Sequence, residues 1–387
     1  MIKHILKLIW NKRGSNALMI LEIFLSFLVL FAVVAYIMFN MERRNTPLGF
    51  ATVDQWMIKL DGFNGIDSLE AISRMESLKR DLLDQPEIEA VSFGKWAVPF
   101  SGSTSNNGSD KNGFEIRAIL VDADADLEKT SDLNLIDGRW FTEDDLNATI
   151  PCVVVNSKFM ELYYPSKSMI DSTFLFDDPV KIVGVIDHYR YLGQFEEDKS
   201  SILFLKDYRE NQDHVILNMQ NGIEAAYEEK LASVVKNSIK SNGSVIENLE
   251  KRRIDNGRES WLMLGALMFV SIFLCLNVSL GLFGVLWYNI NKRKPEIGLR
   301  QALGAHSSDI AKQFILEILI ITGFALVVGI FFTIQIPLLD VTEFPDQLFY
   351  KSIMYSTLII LTLVFACALF PSIQASRITP ANSLHED

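Results

Sequence analysis

"NINKRKPEIGLRQALGAHSSDI" occupies residues 289–310, between two long apolar runs. Lys292, Arg293 and Lys294 open it, Pro295 and Glu296 follow, and Gly298 and Gly304 punctuate the rest. A plain connection between two membrane helices requires none of this patterning. Pro295 suits a first helical turn, where its missing N–H costs nothing. Glu296 stands at the helix start, where the dipole favours a carboxylate, and meets Arg300 at i, i+4 in the better orientation. Gly304 is placed as the residue that ends the helix. Ser307 or Ser308 then caps the next helix, with Asp309 in its first turn. The pattern predicts a short, separately capped helix over 295–303. On a helical wheel Leu299, Ala302 and Leu303 share one side, expected to lie on the protein's own spans. Ile297 and Gln301 share another, expected to be left free for a partner. A helix with one face down and one offered reads as a docking element.

The flanking runs set the fold class. The chain has 387 residues, 49% hydrophobic, with mean hydropathy +0.20. Its apolar residues are clustered, and a membrane span needs about 20 of them in succession. Four segments meet this: 17–39, broken by Glu22; 261–288, without charge; 314–339, broken by Glu317; and 352–370. The apolar core of the first exceeds a signal-peptide h-region of about 7–15 residues, so it is expected to stay as an anchor.

Orientation follows from Lys and Arg in short segments beside the spans. Lys3, Lys7, Lys12 and Arg13 precede the first, Lys292, Arg293, Lys294, Arg300 and Lys312 follow the second, and Arg377 follows the fourth. Asp340, Glu343 and Asp346 lie between the third and fourth. Both termini are therefore expected in the cytoplasm. Residues 1–16, the loop 289–313 and the tail 371–387 would be inside, with 40–260 and the short loop 340–351 outside. Lys251, Arg252, Arg253 and Arg258 point the other way. Long domains translocate largely regardless of charge, so the four-span orientation stands.

Segment 40–260 carries more than the whole of the net charge of −12. Such acidity argues against nucleic acid and against docking on anionic lipid. The three cysteines are Cys152, alone outside, and Cys275 and Cys367 in spans, and the five histidines are scattered. No metal site, cofactor site or catalytic group is expected, and no phosphate-binding Gly-rich loop or nucleophile elbow is present. Residues 40–260 read as mixed α and β. "DQWMIKL", "IEAVSFG", "FEIRAILVDAD", "SILFLKDY" and "HVILNMQ" are strand-like, "SLEAISRMESLKRDLLDQ" is helical, and "IPCVVVNSKFMELYYP" is a strand running into a helix. A further helix in "GIEAAYEEKLASVVKNSIKS" is expected to end at Asn242-Gly243. "LNLIDGRWFTEDD" reads as a turn, and residues 100–114, rich in Gly, Ser and Asn, as a mobile loop. The expected fold is an α-helical integral membrane protein with four transmembrane helices and a large α+β extracytoplasmic domain between the first and second.

Ionisable groups within spans are functional hypotheses by default. Glu22 and Glu317 qualify, and both lie near the inner interface as membrane carboxylates. Gly281, Gly284, Gly323 and Gly329 suit close helix approach.

"KPEIGLRQALGAHSSDIAKQFILEILIITGFALVVGI" resembles the FtsX-like permease domain, whose members carry a version of R-E-I-G-x-R-x-x-x-G-A there. "GRWFTEDD", "VVVNSKF" and "KIVGVIDHYRYLG" resemble the extracytoplasmic core domain of MacB-type ABC transporter permeases, and "FPSIQASRITPANSL" the family's ending. The resemblance covers essentially the whole chain, although Pro295 stands where the family usually has Arg or Lys. It implies a permease of the bacterial inner membrane, crossing it several times. The permease would dimerise with a second copy or a paralogue, over a separate cytoplasmic ATPase dimer that holds ATP and Mg. Pro295, Glu296, Ile297, Gly298, Arg300, Gln301 and Gly304 would form the ATPase-coupling helix. The work implied is mechanotransmission for efflux or extraction, with a periplasmic adaptor and an outer-membrane exit protein as further partners. The alternatives are an activator of cell-wall hydrolases without transport, or a membrane-anchored sensor or scaffold.

Overall fold

The computed structural model describes residues 13–376 apart from 62, 64–65, 97, 103, 114, 166–167, 210–212, 224–225, 242, 304 and 340–343, with backbone alone for 13–16, 307 and 375–376. Gly304, Asn242, Asp340, Glu343, Arg377 and the basic residues before Arg13 therefore lie outside the described residues.

The elements in chain order are α1 (Arg13–Asn45), β1 (Gln55–Lys59), α2 (Ser68–Leu83), β2 (Ile88–Gly94), β3 (Asn106–Ser109) and β4 (Ile116–Ala123). Next come α3 (Leu127–Ser131), β5 (Leu135–Gly138), β6 (Cys152–Asn156), α4 (Ser157–Tyr163), β7 (Thr173–Leu175) and β8 (Pro179–Ile186). Then follow β9 (Ser201–Leu205), β10 (His214–Met219), α5 (Tyr227–Ile239) and β11 (Val245–Asn248). The chain closes with α6 (Leu249–Lys292), α7 (Lys294–Ala302), α8 (Ser307–Leu338) and α9 (Asp346–Ser376). They form two compact units, one of residues 43–261 and one of residues 1–42 with 262–387.

The second unit holds the membrane-crossing parts. Among the described residues four helices are long and apolar enough to cross: α1, α6, α8 and α9. Met19, Ile23, Phe27 and Leu30 recur at helical spacing along α1 and are buried against Val278 and Leu282 of α6, Ile318 and Ile321 of α8, and Ile360 and Val364 of α9. Gly281 and Gly329 sit where a Cβ would strike Glu22 and Phe27 of α1. Gly284 and Gly323 face open space, so the expected close approach holds at two of the four glycines.

The α+β unit has two sheets. Strands β11-β1-β10-β2 form an antiparallel sheet, and β3-β4-β9-β6-β8-β5 a mixed one with β7 beside β8. α2 and α5 cover the first sheet, joining Leu78, Leu82, Leu231 and Val235 to Trp56, Val91 and Leu217 in one core. Asp67 caps α2 by accepting from the Leu69 N–H, which satisfies one of its orphan donors. The "VVV" of β6 is buried throughout, as a central strand requires.

Four local expectations change. Residues 106–109 are not loop but β3, an edge strand held by β4. The "turn" at 133–145 contains β5, paired with β8. α5 ends at Ile239 with Lys240 left-handed, three residues before Gly243. α8 starts at Ser307, so His306 holds the cap position, with no side-chain capping bond of its own.

Candidate functional site

α7 begins with Pro295 in its first turn and ends at Ala302, one residue earlier at each end than expected. No side chain caps it. It is held instead by packing and by an ion pair. Ile297 is 3% exposed, in a cluster with Ile290 of α6 and Ile310 and Phe314 of α8. Arg293, in the turn before α7, donates from both Nη atoms to Glu317 of α8, at 2.9 and 3.2 Å. Its guanidinium also lies 5.8 Å from the Phe314 ring centre. Arg300 pairs with Glu296 and donates to Gln313 Oε1 at 3.0 Å. The Ala305 N–H reaches the Arg300 carbonyl at 3.0 Å and closes the helix end. The fork of Arg293 on a carboxylate is both strong and directional, so it sets where α7 sits.

The faces of α7 are the reverse of the sequence expectation. Ile297 and Gly298 are buried, whereas Leu299 is 61% and Leu303 81% exposed, with Ala302 and Pro295 beside them. The wheel grouped these residues correctly but assigned the wrong group to the protein's own core. Ile290, Ile310 and Phe314 provide an apolar seat that one β-branched side chain fills. Leu299, Ala302 and Leu303 are therefore the functional candidates that sequence reasoning placed on the wrong side, while Glu296 and Arg300 remain on the accessible surface. Gln301 is half-buried. Glu317, expected as an interfacial carboxylate, is the anchor of Arg293. Glu22 lies on α1 against Gly281, away from this loop in the chain.

Elsewhere, a hollow of about 340 Å³ opens at the ends of β4 and β9. Two ion pairs lie in its wall: Lys79 with Asp126 at 2.8 Å and Asp207 with Arg209 at 2.6 Å. Burial pushes the Asp124 carboxyl up to about 6, against hydrogen bonds from Ser92 Oγ and the Phe93 N–H. Asp124 thus ties the end of β4 to β2. Among the described residues no His, Cys, Asp and Glu are grouped to hold a metal.

The MacB-like periplasmic core domain matches residues 17–234, and the FtsX-like permease C-terminal domain matches residues 268–380. This chain belongs to the MacB/FtsX-like family of ABC transporter permeases. The permease is 24% identical over 333 residues to "Macrolide export ATP-binding/permease protein MacB 2" of Aeromonas hydrophila, a match over 79% of this chain and 48% of that protein. It is 25% identical over 341 residues to MacB of Bartonella quintana, over 82% and 50%. To the ABC transporter permease YvrN of Bacillus subtilis it is 24% identical over 285 residues, over 65% and 66%. The permease spans about half the length of the two MacB relatives. The solved periplasmic region of MacB from Actinobacillus actinomycetemcomitans shares 17% identity with it at a TM-score of 0.39, over 53% of this chain and 94% of that one.

Proposed function

We propose that this permease couples ATP binding and hydrolysis on a separate cytoplasmic ATPase dimer to a movement of its α+β domain, which handles the substrate outside the membrane. The observation that carries this is α7: a short helix, pinned on one side by Ile297 and Arg293, whose Leu299 and Leu303 the rest of the chain leaves uncovered. Leucines held out on a rigid helix are a contact for a partner's groove. In this reading ATP binding closes the ATPase dimer, α7 moves with it, and α1 and α6 carry the motion outward. α6 has 44 residues, roughly 66 Å of helix, against a hydrocarbon core of about 30 Å. The permease works as a dimer, and substrate does not pass between the spans. A polar substrate there would meet an apolar bundle at several kcal/mol per unpaired group.

The test uses the permease reconstituted with its ATPase. A spin label at Asn107, an exposed residue of β3, reports the separation of the two α+β domains. ATP is expected to shift that distance beyond its resting distribution. An unchanged distance under turnover, or photo-crosslinks from substrate to mid-span Leu361, would return the mechanism to a conduction path.

Orientation has its own measurement. Single cysteines at Asn107 and His306, with the native cysteines replaced, separate the two sides of the membrane. Asn107→Cys is expected to react with an impermeant thiol reagent once the outer envelope is opened, and His306→Cys only after the inner membrane is opened. Labelling of the His306 position from outside sinks the assignment of α7 to the cytoplasm.

A further inference from the structure

Arg190 is 2% exposed, in the stretch "HYRYLGQFEED" that follows β8. Its Nη1 donates to the carbonyls of Arg43 at 2.8 Å and Thr46 at 2.7 Å, where α1 ends. Its Nη2 donates to the carbonyls of Gln194 at 3.0 Å and Glu196 at 2.5 Å, and its N–H to Leu48 O at 2.9 Å. A guanidinium thus serves the orphan carbonyls of a helix end, where a cation is also favoured by the dipole.

The same stretch grips the start of α6. Gln194 Oε1 accepts from Arg253 Nη1 at 2.7 Å, and Leu192 O from Asn256 Nδ2 at 2.6 Å. The Phe195 ring meets Trp261 edge-on at 5.6 Å, and Arg43 Nη1 reaches Phe195 O at 3.3 Å. Gly257 admits this contact: a Cβ there would stand 3.0 Å from Gln194 Nε2 and 3.3 Å from Phe195 Cε2. Gly193 has φ +136°, a conformation L side chains rarely adopt, against Asn256. His188 Nδ1 and Asp198 Oδ2, 2.5 Å apart, close the base of the loop. All of these residues belong to the α+β unit, which includes the last turn of α1 and the first turns of α6. The arrangement also accounts for Arg253, whose basic character counted against the expected orientation: it is bound to Glu250 and Gln194.

We propose that residues 190–196 are a strap, with Arg190 as its clasp, that binds the end of α1 to the start of α6 and passes their movement into the α+β domain. The idea rests on the coupling function above and names the residues that perform its last step. A surface loop serving only as a connection would leave its carbonyls to water. Here four backbone carbonyls, two from the loop and two from the end of α1, converge on one buried guanidinium. α6 runs on directly from β11, whereas the end of α1 is joined to β1 only through residues 46–54, so without the clasp α1 can move while the domain stays behind.

The experiment measures two inter-copy distances in the reconstituted permease with its ATPase, one from a label at Asn107 and one from a label at His306. ATP should change both in the unmodified protein. In Arg190→Ala the His306 distance should still change, while the change at Asn107 falls by more than half. Arg190→Lys keeps the charge but not the fork, and should fall between the two. Gln194→Ala with Asn256→Ala removes the grip on α6 at accessible side chains; it should also uncouple the two distances and decides the matter should the Arg190 variants not fold. Full Asn107 movement in Arg190→Ala, or in the Gln194/Asn256 double variant, overturns the strap. Loss of both movements together in a folded variant also overturns it, because the clasp would then act before the helices move. Absence of both changes in the unmodified protein refutes the coupling function itself, and the strap falls with it.

Discussion

Permease carrying Leu299→Asp and Leu303→Asp is expected to reach the membrane in normal amount and to lose its ATPase. Both side chains are largely exposed in the permease alone, so charge there leaves the fold intact. Each leucine buried in a partner's groove contributes about 1.5–3 kcal/mol, and losing two weakens capture by roughly a hundredfold or more. Co-purification from solubilised membranes measures it. Normal recovery of the ATPase with the double variant would show that docking occurs elsewhere. Ile297 and Gly298 are unsuitable for this test, because both are buried in the permease itself and a large or charged residue there would disturb its own packing.

The second large effect is expected from Arg293→Glu. The Arg293 and Glu317 side chains are each 12% exposed, and removing one partner of such a buried pair costs about 3–5 kcal/mol. Two carboxylates would face each other, and α7 would leave its seat although Leu299 and Leu303 are untouched. ATPase capture should fall as far as in the leucine variant. Adding Glu317→Arg restores the fork in reverse and should recover most of the loss. A charge-reversed pair that fails to recover, beside a single variant that binds normally, would reduce Arg293–Glu317 to a bystander.

Much of this molecule was legible before any coordinates. The four apolar runs are long enough to cross a bilayer, and little else can be done with them. α2 and β6 were readable because their burial repeats at 3.6 or because "VVV" has nowhere to go but a core. β3 and β5 escaped because their sequences, "NNGS" and "LIDG", have turn composition. They are strands only because β4 and β8 offer open edges, a fact about neighbours that no local pattern contains.

α7 divides along the same line. Proline, glutamate and i, i+4 charge spacing determined that a short helix stands between the second and third spans, since those effects act within one turn. Which side of it faces out was decided by the tertiary structure. A helical wheel gives the phase of each residue but not the position of the partner, and here Ile290, Ile310 and Phe314 supply the seat while Arg293 and Glu317, 24 residues apart in the chain, fix the tilt. Arg190 is the extreme case. The sequence alone determined that an arginine follows β8, and only the fold brings the end of α1, nearly 150 residues earlier, to its guanidinium, because unpaired carbonyls and a buried cation must find each other once water is excluded.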